Sequence, residues 1–313
     1  MRALCFGLIL VDLLAVGVEK LPTVFEGTTA CEYTKTAVGG GAINSAVAFS
    51  KFGIETDLLG RIGRDSLGIV VRRFLRRTPV RSRVILDGER STGSSLVLVS
   101  KTSQKTAIVS RGANDGIVKE DFNGVILRDY DMLLINGFFQ FPNVVKDLPE
   151  ILARAKKLGV TVAFDTAGWD TTERWFEQIR PFAKYIDYFF PNDIQVKKLG
   201  GSDDIEVAAK NLLKEGVGCV VVKCGENGCV VYRNGVEPLK TEGYKVAPID
   251  TTGAGDCFDS AFLTCKAEGK SDKYASRFAN VAAAINCTHV GACEGVPEKD
   301  FVERIMKLEG YRC

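Results

Sequence analysis

Residues 250–262 read DTTGAGDCFDSAF: two aspartates separated by threonines, glycines and an alanine, with an apolar pattern starting at once behind them. Residues this small let a backbone approach a ligand closely and turn its N–H groups inward. A helix beginning near Gly255 adds unpaired N–H groups and the positive end of its dipole, so Gly253, Ala254 and Gly255 make a site for an anion, most naturally a phosphate. Phe258, Ala261, Phe262 and Cys265 recur at i, i+3, i+4 and i+7, which gives the helix a core-facing side. Asp256 falls in the first turn, beside the anion. A carboxylate there is unfavourable unless a hydroxyl sits between it and the phosphorus, gives up its proton and attacks. That arrangement performs phosphoryl transfer to an alcohol. Taken alone, GAGD equally caps a helix, with Asp256 complementing the dipole.

Competing chemistries find less support. GAGDCF half-matches the dinucleotide fingerprint, but Phe258 stands where the third glycine belongs. The one GKS, at 269–271, has Thr264 in place of the leading glycine of a phosphate loop. A single histidine, His289, removes Ser-His-Asp and Cys-His catalysis unless it serves alone. The ten cysteines form no CxxC, and Cys219, Cys224 and Cys229 have a spacing foreign to common zinc motifs. They read as reduced core residues of a cytoplasmic protein. A net charge of +2 and one short basic run, RRFLRR at 72–77, give no reason to expect nucleic acid. No apolar stretch approaches the ~20 residues that span a bilayer. The apolar start is interrupted by Asp12 and lacks a small-residue cleavage site, so it reads as a buried first strand, not a signal peptide.

The elements that must position this site follow from periodicity. ALCFGLIL (3–10), DMLLIN (131–136), VTVAFD (160–165), YIDYFF (185–190) and GCVVVK (218–223) read as buried strands. Residues 42–53, 144–159, 204–216 and 273–286 read as helices. The alternation predicts an α/β fold, a mostly parallel sheet with helices on both faces. Residues 13–37 and 91–111 alternate without long helical patterns and predict a small β-layer projecting from a single domain spanning 1–313.

DTTGAGDCFDSAF resembles the C-terminal signature of the ribokinase-like (PfkB-type) carbohydrate kinases, and VGGGAINSAVAFSKFG (38–53) resembles their N-terminal one. GLILVD (7–12), GRIGRDSLG (60–68), RGAN (111–114), PNDIQ (191–195), VKCGENG (222–228) and FANVAAAINCTHVGA (278–292) follow in family order, so the similarity covers essentially the whole chain. It implies the ribokinase-like fold with a β-sheet lid, ATP and Mg²⁺ as cofactors, a sugar or polyol acceptor, and a homodimer formed through the lid.

Residue by residue, the resemblance makes Asp256 the catalytic base and Gly253, Ala254 and Gly255 the anion hole. It places Asp12, Gly39, Gly40 and Asn44 at the sugar hydroxyls, with Arg111 near an anionic group. A carboxylate accepts from two vicinal hydroxyls, and an amide both donates and accepts. Asn192, Lys223, Gly225, Gly228 and Asn280 fall on the nucleotide side. Asp250 and Thr252, with carbonyls near Asn286, His289, Gly291 and Gly295, match the monovalent cation site of potassium-activated members. Without the resemblance, each residue also has a bland reading as a strand end, a helix start, a hairpin turn or a solvated charge. Two departures stand out. Gln195 replaces the glutamate of the NxxE element, which predicts altered magnesium handling. Gly137 and Phe138 occupy the neighbourhood of a sugar-binding glutamate, which weakens ribose as the substrate. A sugar kinase leads; a nucleoside or sugar-phosphate kinase, or a non-catalytic nucleotide or sugar sensor on the same fold, are the alternatives.

Overall fold

The computed structural model describes residues 1–18, 28–101, 105–137, 141–167 and 175–311. Its strands begin with β1 (Arg2–Gly7), β2 (Leu10–Val18), β3 (Tyr33–Gly39), β4 (Glu55–Gly63), β5 (Arg81–Asp87), β6 (Ser94–Ser100) and β7 (Lys105–Ser110). They continue with β8 (Met132–Asn136), β9 (Thr161–Asp165), β10 (Tyr188–Phe189), β11 (Val220–Lys223), β12 (Cys229–Arg233) and β13 (Val236–Thr241). The helices are α1 (Gly41–Lys51), α2 (Ser66–Leu75), α3 (Pro142–Val145), α4 (Leu148–Lys157), α5 (Trp175–Ile179), α6 (Asp193–Gly200), α7 (Ile205–Lys214), α8 (Ala254–Ala267), α9 (Asp272–Asn286) and α10 (Lys299–Leu308).

Among the described residues, nine strands form one sheet in the order β13-β12-β11-β10-β9-β8-β1-β4-β5. It is parallel from β11 to β5, with β12 and β13 antiparallel at one edge. Its inner strands, such as β8, β9 and β11, are almost wholly apolar because both faces are covered, whereas the edge strands β5 and β13 are largely exposed. Ala3 and Cys5 of β1 enter a core shared with α1, α8, α9 and α10, while Leu4 and Phe6 enter a second core shared with α4, α6 and α7. A second sheet, ordered β3-β2-β6-β7, is the projecting β-layer expected over 13–37 and 91–111; residues 19–27 and 102–104 of those segments lie outside the described residues.

The structure corrects several boundaries. The run at 3–10 is not one strand: β1 ends at Gly7 and β2 begins at Leu10 in the other sheet. Ile9, between them, finds its partners in a side chain, with its N–H donating to Asn114 Oδ1 (3.0 Å) and its carbonyl accepting from Asn114 Nδ2 (2.9 Å). Asp12 therefore sits inside β2, not at the end of the first strand. The helix expected over 144–159 is two, α3 and α4, the second restarting with a proline in its first turn. YIDYFF contributes only Tyr188 and Phe189 as strand. Helix α8 is buried at every position from Cys257 to Cys265, not on one face, because α1, α9 and the sheet surround it. No helix among the described residues is long and apolar enough to cross a membrane. The parallel strands β8, β9 and β11 end together at Asn136, Asp165 and Lys223, the edge where ligands bind open α/β sheets.

Candidate active site

Asp256 is the centre of the site. Asn44, in the first turn of α1, donates from Nδ2 to Asp256 Oδ2 at 2.8 Å, and Asn136 Nδ2 lies 3.4 Å from Oδ1. The Asn44 amide is itself oriented, since its Oδ1 accepts from Cys293 Sγ at 3.3 Å. Burial raises the carboxyl's pKa from 3.8 to about 7, the charge of Asp165 adds to this, and the Asn44 hydrogen bond and the Lys223 charge oppose it. A carboxylate tuned near neutrality suits a general base. Asn44, expected at the sugar hydroxyls, is thus committed through its NH₂ to the carboxylate.

Gly253 precedes α8 with φ +75°, in the left-handed region, so the chain turns sharply into the helix. The N–H groups of Gly255 and Asp256 lie in the first helical turn, where no carbonyl of the helix can accept them. Gly40, at the start of α1, has φ +96°, and a Cβ there would come 2.4 Å from the Leu8 carbonyl oxygen.

Among the residues expected at the sugar hydroxyls, Asp12 points from β2 toward Gly39, where an added Cβ would lie 2.5 Å from Asp12 Oδ2. Ser95 Oγ, opposite on β6, donates to Asp12 Oδ1. Arg111 is paired with Asp115, Nε to Oδ1 at 2.9 Å, as a half-exposed loop ion pair. Phe138 lies outside the described residues.

Where the nucleotide is expected there is a cavity of about 680 Å³ lined by Lys223, Gly225, Gly228, Tyr244, Gly255 and Asn280 among others. Asn280 shapes it indirectly, with Nδ2 donating to the carbonyls of Thr241 (3.3 Å) and Glu242 (3.1 Å). Asn192 is absent from the lining; its Oδ1 caps α6 by accepting from Ile194 and Gln195 N–H, and Gln195 Oε1 accepts in return from Asn192 N–H at 2.8 Å. Gln195 therefore closes a capping box, a role that needs an acceptor and no charge. Asp193 beside it faces solvent.

Asp250, Thr252, Asn286, Gly291 and Gly295 come together in one loop system. Asp250 Oδ1 accepts from Thr252 N–H (2.9 Å) and Oγ1 (2.6 Å), and its Oδ2 from Gly291 N–H (2.9 Å). Asn286 donates to the Thr252 and Ala292 carbonyls, and its Oδ1 is buried without a hydrogen-bond partner. Gly295 packs so tightly on the Asn286 carbonyl that a Cβ would approach it to 2.3 Å. His289 is exposed, its ring against Thr288 Oγ1 at 3.0 Å, leaving only its backbone to that loop.

Three residues of the site were not singled out in the sequence: Asn136, Asp165 and Asp259. All are buried. The signal was present for the first two, as a polar residue closing an apolar strand at the ligand-binding edge. Asp259 carried only its place one turn beyond Asp256.

A family model for pfkB family carbohydrate kinases matches residues 2–299. A ribokinase of Arabidopsis thaliana is 31% identical over 309 residues, covering 94% of this chain and 78% of that protein. The structure of Arabidopsis thaliana ribokinase complexed with ribose and ATP has a TM-score of 0.81 at 27% identity, over 98% of each chain. A putative ribokinase II from E. coli, in complex with ATP and Mg²⁺, has a TM-score of 0.84 at 23% identity over 98% of this chain and 99% of that one, a likeness of fold.

Proposed function

We propose, for a chain that belongs to the pfkB family of carbohydrate kinases, that it transfers the γ-phosphoryl group of ATP to a hydroxyl of a sugar or sugar-like alcohol. One observation carries this reading: a carboxylate held by two amides stands at the first turn of a helix whose N–H groups border the donor cavity. The acceptor hydroxyl gives its proton to Asp256 as its oxygen bonds to phosphorus. The bond to the β-phosphate oxygen breaks, and its electron pair leaves with ADP. The turn at 253–256 meets the charge on the transferring group. ADP release from ATP across a panel of sugars, sugar acids, sugar phosphates and nucleosides tests the reading; release with no acceptor on the panel would count against it.

Bound magnesium neutralises phosphate charge. Among the described residues, no cluster of three or more acidic, histidine or cysteine side chains is placed to hold a metal, and Gln195 is occupied as a cap. The triphosphate itself would supply the oxygens that carry the ion. The monovalent cation site has a better fit, since Asn286 Oδ1 is a buried orphan beside Asp250, Thr252 and the Gly295 backbone. A potassium ion there would fix the loop leading into the anion hole. Turnover should be faster in potassium than in tetramethylammonium at equal ionic strength, and equal rates would remove the site.

Asp12 should hold adjacent acceptor hydroxyls, with the small sheet closing over them to exclude water. Loss of its carboxylate leaves those hydroxyls unpaired, which costs on the order of 1–3 kcal/mol. Asp12→Ala should raise the acceptor KM at least about tenfold while the ATP KM barely moves. Calorimetric titration of both ligands decides between a lost sugar contact and a general folding defect, which would weaken the two alike.

The lid also supports a homodimer. Alternation along its strands turns Asp12 and Ser95 to one face and the directly paired Leu13, Leu96 and Ile108 to the other, with Ile108 71% exposed. An apolar row of this kind suits a second copy of the chain. Sedimentation of the active protein as a monomer would count against it. Seven of the nine described cysteines are buried, which supports reading them as reduced core residues of a cytoplasmic enzyme.

A further inference from the structure

Lys223 ends β11 with its ammonium clasped by two carboxylates from other elements. It donates to Asp165 Oδ2 at the end of β9 and lies 3.0 and 3.1 Å from the two oxygens of Asp259 in α8. Side-chain exposure falls from 15% at Lys223 to 7% at Asp165 and 0% at Asp259, so the cation faces the donor cavity and the carboxylates stand behind it. A Cβ added at Gly255 would come 3.2 Å from Lys223 Nζ, which places the ammonium against the anion-binding turn.

We propose that Asp165 and Asp259 are positioning residues for phosphoryl transfer, holding the Lys223 ammonium against the 253–256 turn so that a fixed cation meets the phosphate oxygens of the donor nucleotide. This rests on the kinase reading above. Stability alone gives no reason for the trio, because burying three ionisable groups costs desolvation and apolar side chains of the same volume serve a core as well or better. A solitary lysine at the cavity wall would bring the same charge in many rotamers, and ordering it on ligand arrival costs entropy. Held by one ammonium proton on Asp165 and another shared between the two oxygens of Asp259, it is aimed in advance and keeps its third proton for a phosphate oxygen, which is what electrostatic preorganisation requires.

The charge states agree with this geometry. Burial works against the Lys223 charge, but Asp165 and Asp259 outweigh it, so the lysine stays protonated. Burial raises Asp259 well above the usual carboxylate value, while at Asp165 the Lys223 charge overcomes burial and keeps the carboxyl low. Besides these three, the titratable groups around Asp256 are Cys5 of β1, Cys257 of α8 and Cys293 after α9. Burial pushes all three thiols far up, and they stay neutral across any assay range.

The test compares Asp165→Asn, Asp259→Leu and Lys223→Met in the full-length enzyme by kcat, by both KM values and by the pH dependence of kcat/KM. Each variant should lose kcat on the order of 10²-fold, with the acceptor KM unchanged. Asp165→Asn removes a negative charge near Asp256, so the acid limb should move to lower pH. Lys223→Met removes a positive one, so the limb should move to higher pH. These limb shifts check that both charges act on Asp256; the positioning role is read from kcat and from the nucleotide binding below, which an ion pair serving only the fold would not move. Wild-type kcat in all three variants, or limbs that move together, would overturn the proposal. Breaking a buried pair can prevent folding, so the triple variant Lys223→Met/Asp165→Asn/Asp259→Leu, which leaves no stranded charge, is made alongside. It should fold and still lose kcat; folded with full kcat, it too would overturn the proposal. Calorimetry with ATP and with adenosine separates this idea from the kinase reading. If the wild-type protein binds ATP but phosphorylates nothing, the kinase reading fails, while Lys223→Met must still weaken ATP and spare adenosine for the clamp to stand. Equal weakening of both would remove the clamp.

Discussion

Asp256→Asn is expected to lower kcat by about 10²–10⁴-fold while leaving the affinity for ATP nearly unchanged. The substitution keeps the size and hydrogen-bonding shape of the side chain, so Asn44 and Asn136 retain a neighbour. What it removes is the proposed proton acceptor. Because burial, seconded by Asp165, raises the wild-type carboxyl to about 7, the base form predominates only above neutrality. The wild-type kcat/KM should therefore climb with pH through about 7 and level off beyond it. Stability runs the other way. A carboxyl whose folded pKa lies above its unfolded one binds its proton more tightly in the fold, so its ionisation destabilises the protein as pH rises from about 4 through 7. Asp256→Asn escapes that cost, and at pH 8 its melting temperature should equal or exceed the wild-type value. Turnover near the wild-type level would remove Asp256 from the mechanism. Low turnover with a lowered melting temperature would point to damage instead of a lost base.

What the sequence revealed and what it hid divide along a physical line. Continuous apolar runs such as DMLLIN and VTVAFD reported strands correctly because burial on both faces is a local compositional demand. The loop at 250–256 was legible for the same reason: small residues announce close approach. ALCFGLIL misled because apolar content says nothing about which sheet a residue joins. The step between sheets depends on Asn114, 105 positions from Ile9. The polar floor of the site is likewise non-local. Asn44 meets Asp256 across 212 positions, Asn136 meets it across 120, and Lys223 meets Asp165 across 58. The i, i+3, i+4 pattern in α8 also hid Asp259, which faces a buried lysine where the pattern implied solvent.

The second large effect is expected at Gly253, and it separates conformation from mere space. At φ +75° an alanine pays roughly 1–2 kcal/mol for the left-handed backbone. Its Cβ would also lie 2.7 Å from the Ala292 carbonyl oxygen and 2.8 Å from the Ala292 Cβ. Neither neighbour is the end of a flexible side chain, so the turn itself must shift. Ala292 also accepts from Asn286 Nδ2 at 3.3 Å, and the next residue, Cys293, orients Asn44. A displacement there therefore reaches both the loop proposed for potassium and the amide holding the base. Misplacing a reacting group by about 1 Å can cost on the order of 10²-fold in rate, and Gly253→Ala should lower kcat by about that factor. Gly255→Ala is the control. Gly255 has ordinary helical φ, and its added Cβ would meet only Lys223 Nζ, at 3.2 Å, and Cε, at 3.9 Å, so the lysine need give by only a few tenths of an ångström while the backbone stays in place. Its effect should be clearly smaller. Parallel kinetics on the two variants, with thermal melts to confirm folding, read the order directly. If Gly255→Ala proves the more damaging, the backbone conformation at Gly253 is not what builds the anion hole, and the contact between Gly255 and the lysine is.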